Sequence, residues 1–218
     1  MTTWPPPVLD FESAARTRLQ IRPPPSLANK LARAVWGVAR VCLFRPTPAP
    51  LHGWRRLILR AFGAHVGARV AVYPSAQIWA PWNLSIDDGA TVGGGATLYN
   101  VDRVEIGEHA VVSQGAHLCT ASHAHDSPDF ELITAPIRIE AEAWVAAEAF
   151  IGPGVTIGKA AVVGARAVAM KSVDERAIVA GNPAKVVGRR AAEGRNRLGG
   201  RGAPGVESHT ELDRRDRT

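Results

Sequence analysis

From Val66 to Val163 an aliphatic residue recurs at every sixth position. Val66, Val72, Ile78 and Leu84 open the series. It slips two places to Ile86 and runs through Val92, Leu98 and Val104. It slips again to Ile106, then Val112 and Leu118, and after a gap continues through Ile139, Val145, Ile151, Ile157 and Val163. A small residue stands four places after many of these heads: Ala76, Ala90, Ala96, Ala110, Ala116, Ala143, Ala149, Ala161 and Ala167. On a strand, residues two apart share a face, so each small residue and the head that follows it point into the same core. Six residues are too few for a helical pair and too regular for a meander. Short strands joined by tight corners, three to a coil, give a triangular parallel β-solenoid in which each coil covers its neighbour. Glycine or alanine often follows the head, as in "IGPGVT" and "VGARAV", and marks corners with no room for bulk. The spacing alone leaves the hand of the coil open.

The period breaks over "CTASHAHDSPDFELITAPIRIE", Cys119 to Glu140. Counting on from Leu118, Ser122 takes the inward small position and His123 the outward one, and Ala124 stands where a head is due. The chain therefore leaves the coil there and returns near Ile139, an excursion of about 14 residues, a length at which loops inside compact folds are usually functional or disordered. An outward imidazole suits general-base chemistry. His117 also precedes a head and points outward. With His109 and His125 nearby, a metal reading stays open, because a catalytic zinc takes three protein ligands. Cys119 follows a head and reads as a corner residue. "VGGGAT" and "IGKAAV" lack the Lys-Ser/Thr context of a phosphate loop and read as corners too.

The heads and small residues resemble the hexapeptide repeat of the left-handed β-helix acyltransferases. "GARAVAMKSVDERAIVAGNPAKVVG" resembles the C-terminal end of that family. "FRPTPAPLHGWRRLILRAFGAHVG", "YPSAQIWAPWNLSI" and "LCTASH" resemble more narrowly the acetyltransferases of colanic-acid and related exopolysaccharide pathways, over about residues 30–190. The resemblance implies an all-β, left-handed parallel β-helix assembled as a homotrimer. It implies an O-acetyltransferase that moves acetyl from acetyl-CoA to a sugar or oligosaccharide hydroxyl in surface-polysaccharide biosynthesis, with no metal. By the same resemblance His123 is the base, Asn100 in "LYNV" contacts the acceptor, and Trp144 lines the acceptor cleft. Ala147, Ala165, Met170, Lys171 and Lys185 fall where the family holds CoA. Gly188 stands where the family has an arginine, with Arg189 beside it. Two alternatives use the same fold: a trimeric zinc hydrase of the γ-carbonic anhydrase type, for which the upstream "IWAPWN" supplies no histidine, and a non-catalytic scaffold.

Charge is distributed unevenly. Residues 1–65 hold ten Lys and Arg against two Asp and Glu, whereas residues 66–188 hold eight against thirteen. "SLANKLARAVWGVARVCLF" reads as an amphipathic helix capped by Ser26, with Lys30, Arg33, Gly37 and Arg40 on one stripe and Leu27, Leu31, Ala34, Val35 and Val38 on the other. "PTPAP" ends it. "LHGWRRLILRAFG" is a second helix, with Trp54, Leu57, Ile58 and Ala61 opposite Arg56 and Arg60. These helices are expected to cap the first open coil and to touch an anionic membrane surface. The resulting organisation is a disordered segment over 1–25, an amphipathic helical cap over 26–64, the hexapeptide β-helix over 65–188, and a disordered tail over 189–218 rich in Gly and charge. The N-terminus has no basic start followed by an apolar core, and the two cysteines are far apart. A secretory signal and a disulfide framework are therefore not expected, and the expected location is the cytoplasm, peripheral at the inner face of the membrane. Nucleic acid is not an expected partner.

Overall fold

A computed structural model describes residues 19–22 and 26–191. From His65 the chain winds as a three-faced solenoid. Sheet I contains His65–Val66, Leu84–Ile86, Val104–Ile106, Ile137–Ile139 and Thr156–Ile157. Sheet II begins at Ala71–Val72 and passes through Thr91–Val92, Val111–Val112, Trp144–Val145, Val162–Val163 and Ala177–Ala180. Sheet III contains Gln77–Ile78, Thr97–Tyr99, His117–Cys119, Phe150–Ile151 and Val168–Ala169. All these strands pair in parallel with the coils before and after. The final strand, Lys185–Arg189, turns back antiparallel on Ala177–Ala180.

Every head of the six-residue series is buried, and so is each of the nine alanines four places after a head. The two slips have one cause. Strands of sheet I carry two inward aliphatics instead of one: Leu84 with Ile86, Val104 with Ile106, and Ile137 with Ile139. The coil therefore resumes at Ile137, which pairs with Val104, two residues before the expected return at Ile139.

The corners correct one expectation. His109, Glu142, Glu148 and Arg166 occupy left-handed corner positions, with φ of 55°, 60°, 59° and 59°. Their side chains are largely exposed, so bulk is tolerated there. Crowding is found where a glycine directly follows a head. At Gly93 a Cβ would lie 2.6 Å from the Gln114 amide nitrogen of the next coil.

A coil cannot satisfy its own backbone; its N–H and C=O groups bond to the coils on either side. The first coil has no coil beneath it, and two helices supply the missing donors. These are α1 (Leu27–Ala39), continued by a π-helical turn over Arg40–Phe44, and α2 (His52–Ala61). Ser26 caps α1 as expected, its Oγ accepting from the Asn29 amide at 3.2 Å. Arg60 donates to Val66 O at 2.8 Å, Arg56 to Val70 O at 2.9 Å, Arg55 to Val72 O at 2.5 Å and Trp36 to Ile78 O at 2.7 Å. Arg55 is fully buried; its other nitrogens reach Thr47 Oγ1, Pro48 O, Ala49 O and His52. Trp36, Phe44, Ile58 and Leu59 close the end of the core.

The cap turns α1 around relative to the usual amphipathic arrangement. On α1, Arg33, Trp36, Gly37 and Arg40 face the solenoid, and Leu27, Leu31, Val35 and Val38 are 59–72% exposed. Much of the basic excess at the N-terminus therefore has a structural use. Disorder expected over 1–25 and 189–218 falls mostly outside the described residues. Within them, Gln20–Ile21 forms a strand on the free edge of Leu132–Thr134, and Arg189 ends the last strand.

Replacing Arg55 with Leu should destabilise the protein by about 2–4 kcal/mol, because the Val72, Pro48 and Ala49 carbonyls lose a buried, charged donor at once. Urea unfolding followed by circular dichroism measures this; an exposed control, Arg69→Leu, should shift the midpoint little.

Candidate active site

The interruption is a β-hairpin. Ala121–His123 pairs antiparallel with Leu132–Thr134, and Gln20–Ile21 adds a third strand. It rises at the corner between sheets III and I, where the first two coils already carry extra residues and a 3₁₀ turn over Pro81–Asn83. The coil is left earlier than counted. Thr120 is fully buried, its Oγ1 donating to Tyr99 O at 2.9 Å, and Ala121 is buried. Ser122, the expected inward small residue, is exposed because it already belongs to the projecting strand. A polar network pins the hairpin root. Thr134 Oγ1 donates to Asp102 at 3.0 Å, Arg22 reaches the same carboxylate at 3.2 Å and Thr134 Oγ1 at 3.2 Å, and the Asp102 amide donates to Thr120 Oγ1 at 2.9 Å.

His123 is exposed, as its outward position requires. Its Nδ1 lies 2.9 Å from Phe130 O, and its ring stacks on the Phe130 ring with centroids 4.4 Å apart and planes 8° from parallel. A carbonyl can only accept, so the proton sits on Nδ1 and the Nε2 lone pair faces outward, the tautomer a general base needs. Phe130 holds this geometry with φ of 47°, an uncommon conformation for a bulky residue. The hexapeptide pattern gave no signal for Phe130, since it lies where the period is lost.

The other expected site residues separate into groups. Asn100 is not available to an acceptor. It is fully buried, its Oδ1 accepts from the Trp79 and Ala80 amides at 3.1 and 3.0 Å, and its Nδ2 donates to Ala80 O at 2.6 Å. It ties one widened corner to the next. Trp144 is 47% exposed on sheet II, its Nε1 donating to Ser113 Oγ at 2.9 Å. Ala147 and Ala165 stack at the corner between sheets II and III, where the Arg166 amide donates to Ala147 O at 2.9 Å. Met170 leans over Gly152, and Lys171 follows at the corner between sheets III and I. Lys185 lies exposed on the last strand. Within one chain, His123 and the Ala147–Ala165 column thus stand at opposite ends of the sheet III strands.

His117 packs edge-on against Phe150, with centroids 5.3 Å apart, and burial lowers its pKa. His125 lies beside Asp126 at 3.4 Å, and His109 beside Glu108 at 3.5 Å. Among the described residues no three His, Cys, Asp or Glu side chains gather in an arrangement that could hold a metal ion.

A three-faced β-solenoid of six-residue repeats is the fold of the hexapeptide-repeat acetyltransferases. It aligns with a hexapeptide-repeat acetyltransferase of Vibrio cholerae crystallised with acetyl coenzyme A, at 24% identity and a TM-score of 0.68, over 75% of this chain and 90% of that one. It also aligns with a maltose O-acetyltransferase of Clostridium difficile 630, at 21% identity and a TM-score of 0.69, over 84% and 96%. The chain is 40% identical over 159 residues to a protein of Escherichia coli (strain K12) assigned to colanic acid biosynthesis as the acetyltransferase WcaF, covering 73% of this chain and 87% of that protein. The chain belongs to this family of colanic acid biosynthesis acetyltransferases. No protein-family model matches the sequence.

Asn100→Ala should behave as a structural lesion. The Ala80 amide loses its partner, at about 1–3 kcal/mol for a buried group left unsatisfied, and the corner loses two further bonds, although the Trp79 amide keeps Leu98 O and Ala80 O keeps the Asn83 amide. Thermal melting should fall markedly, and turnover measured well below the new melting point should stay within a few-fold of the parent.

Proposed function

We propose that this protein is an O-acetyltransferase that moves the acetyl group of acetyl-CoA to a sugar hydroxyl during surface-polysaccharide assembly. The observation that carries the reading is the imidazole of His123, locked by Phe130 O with Nε2 free on an outer hairpin. Nε2 takes the proton of the acceptor hydroxyl as its oxygen attacks the thioester carbonyl. The imidazolium keeps its Nδ1–H on the Phe130 carbonyl. As the tetrahedral intermediate collapses, the C–S bond breaks and the proton passes from Nε2 to the leaving thiolate, giving the acetyl ester and CoA. The Ala147–Ala165 corner, having little side chain, lets the pantetheine arm approach the backbone, with Met170 beside it. Lys171 and Lys185 are available to its phosphates. With Gly188 in place of the family's arginine, Arg189 is the neighbouring cation for the same role.

The separation of His123 from the Ala147–Ala165 column favours a C3 homotrimer, in which one subunit brings the base to its neighbour's donor groove. The outward apolar stripe of α1, with Lys30 beside it, favours a membrane surface as a second contact. Among the described residues no helix is long and apolar enough to cross a membrane.

His123→Ala should lower turnover by about 100-fold or more and leave CoA affinity within a few-fold of the parent. The same change at His117 or His125 should cost far less. Mixing His123→Ala subunits with subunits blocked at the donor groove by Ala165→Trp should restore part of the activity; no recovery in verified mixed oligomers would place each site within one chain. For the membrane contact, the protein should sediment with phosphatidylglycerol vesicles, and Leu31→Asp with Val35→Asp should release it. Equal sedimentation of the double variant would remove the stripe from this role.

A further inference from the structure

Where α1 crosses the widened corners of the first two coils, a cavity of about 610 Å³ opens between the helix and the solenoid. Its two walls differ in chemistry. The start of the helix presents Ser26 and Arg33, Arg22 enters from the strand added to the hairpin, and the solenoid side presents Trp79 and Tyr99, packed edge to face with centroids 5.0 Å apart. The Arg33 guanidinium carbon lies 4.7 Å from the Trp79 ring centre. Its Nε is buried with no hydrogen-bond partner. Arg22 shares its charge with Asp102, whereas Arg33 forms no ion pair among the described residues. The N-terminus of the 13-residue α1 faces the same space, and its first turn holds no acidic residue, so the helix dipole adds to the positive wall. Leu132 closes one end of the cavity. It lies directly across the hairpin from His123, and residues paired in this way share a face of the sheet. The base therefore stands one residue's width beyond the cavity.

A buried guanidinium nitrogen without an acceptor carries an unmet desolvation cost, which an anionic oxygen relieves. Aromatic walls with a few fixed polar groups suit a ring with an apolar C–H face. We propose that this cavity is the acceptor site and that its ligand is a glycosyl pyrophosphate. The hexose lies against Trp79 and Tyr99 with a hydroxyl directed past Leu132 to His123, and the pyrophosphate meets Arg33 and the start of α1. This assignment rests on the acetyltransferase reading and specifies its acceptor. A nucleotide sugar and a lipid-linked sugar share this chemistry; the second would also use the outward apolar stripe of α1.

The test uses the full chain and calorimetry. CoA is titrated first, and the CoA-saturated protein, its donor phosphate contacts filled, is then titrated with inorganic pyrophosphate, UDP-glucose and a short-chain prenyl pyrophosphoryl glucose. All three should bind. Arg33→Gln should weaken each at least tenfold, and Arg33→Lys should weaken them less, which guards against a misfolded helix. Trp79→Leu should weaken the two glycosylated probes and leave pyrophosphate unchanged. CoA affinity should be the same in all variants. Tighter binding of the prenyl probe than of UDP-glucose assigns a lipid-linked acceptor, and the reverse a nucleotide sugar. Absence of pyrophosphate binding to the CoA-saturated protein, or equal binding by Arg33→Gln, overturns the proposal and leaves the acetyltransferase reading intact. Failure of CoA itself to bind removes both.

Discussion

A coil in this fold leaves most of its backbone donors and acceptors for its neighbours, and that dependence organises the whole chain. In the interior of the stack the strand N–H groups find carbonyls of the next coil, and the aliphatic heads stack into one continuous core. At the first coil the supply runs out. The solution is a row of side chains from α1 and α2, with Arg60, Arg56, Arg55 and Trp36 reaching four successive groups of the open edge. An uncovered edge of this kind would otherwise be a template for pairing with another chain. At the other end the antiparallel strand Lys185–Arg189 covers part of the last coil.

That capping decides the orientation of the helices. On α1 it is Trp36 that closes the core and donates to Ile78 O, so the opposite, apolar stripe turns to solvent. Leu27, Leu31, Val35 and Val38 of α1 form an exposed apolar stripe, and Leu57 of α2 is exposed as well. The same orientation presents Arg33 to Trp79 and leaves a cavity beneath the helix. Stability and candidate recognition thus draw on one set of basic residues, some consumed by backbone carbonyls and at least one, Arg33, left without a partner for its Nε.

One corner of the triangle carries most of the irregularity. Between sheets III and I the first coil holds a 3₁₀ turn, the second holds the buried Asn100, and the third extends into the hairpin with His123. The other two corners are kept tight by contacts between successive coils, such as Gly93 against Gln114. Extra residues can therefore enter only where the packing was already relaxed, and His123 stands there on a support held at its root through Asp102, Thr120 and Thr134.

The sequence by itself determined the solenoid, because burial every six residues writes the core directly into the order of amino acids. It also marked the break in that order and the outward place of His123. It could have given the true point of return, since Ile137 and Ile139 repeat the paired heads of Leu84 with Ile86 and Val104 with Ile106. Only the tertiary structure decided the rest. The period says nothing once the chain leaves the coil, so the hairpin, the clasp of Phe130 on His123 and the strand from Gln20–Ile21 were beyond its reach. Asn100 looked like a ligand for the acceptor because polarity is visible in a sequence and burial is not; its amide is spent on the neighbouring corner. The arginines of the helices looked like a surface for anions, yet three of them hold the first coil closed, because only the fold shows which carbonyls have no coil to bond.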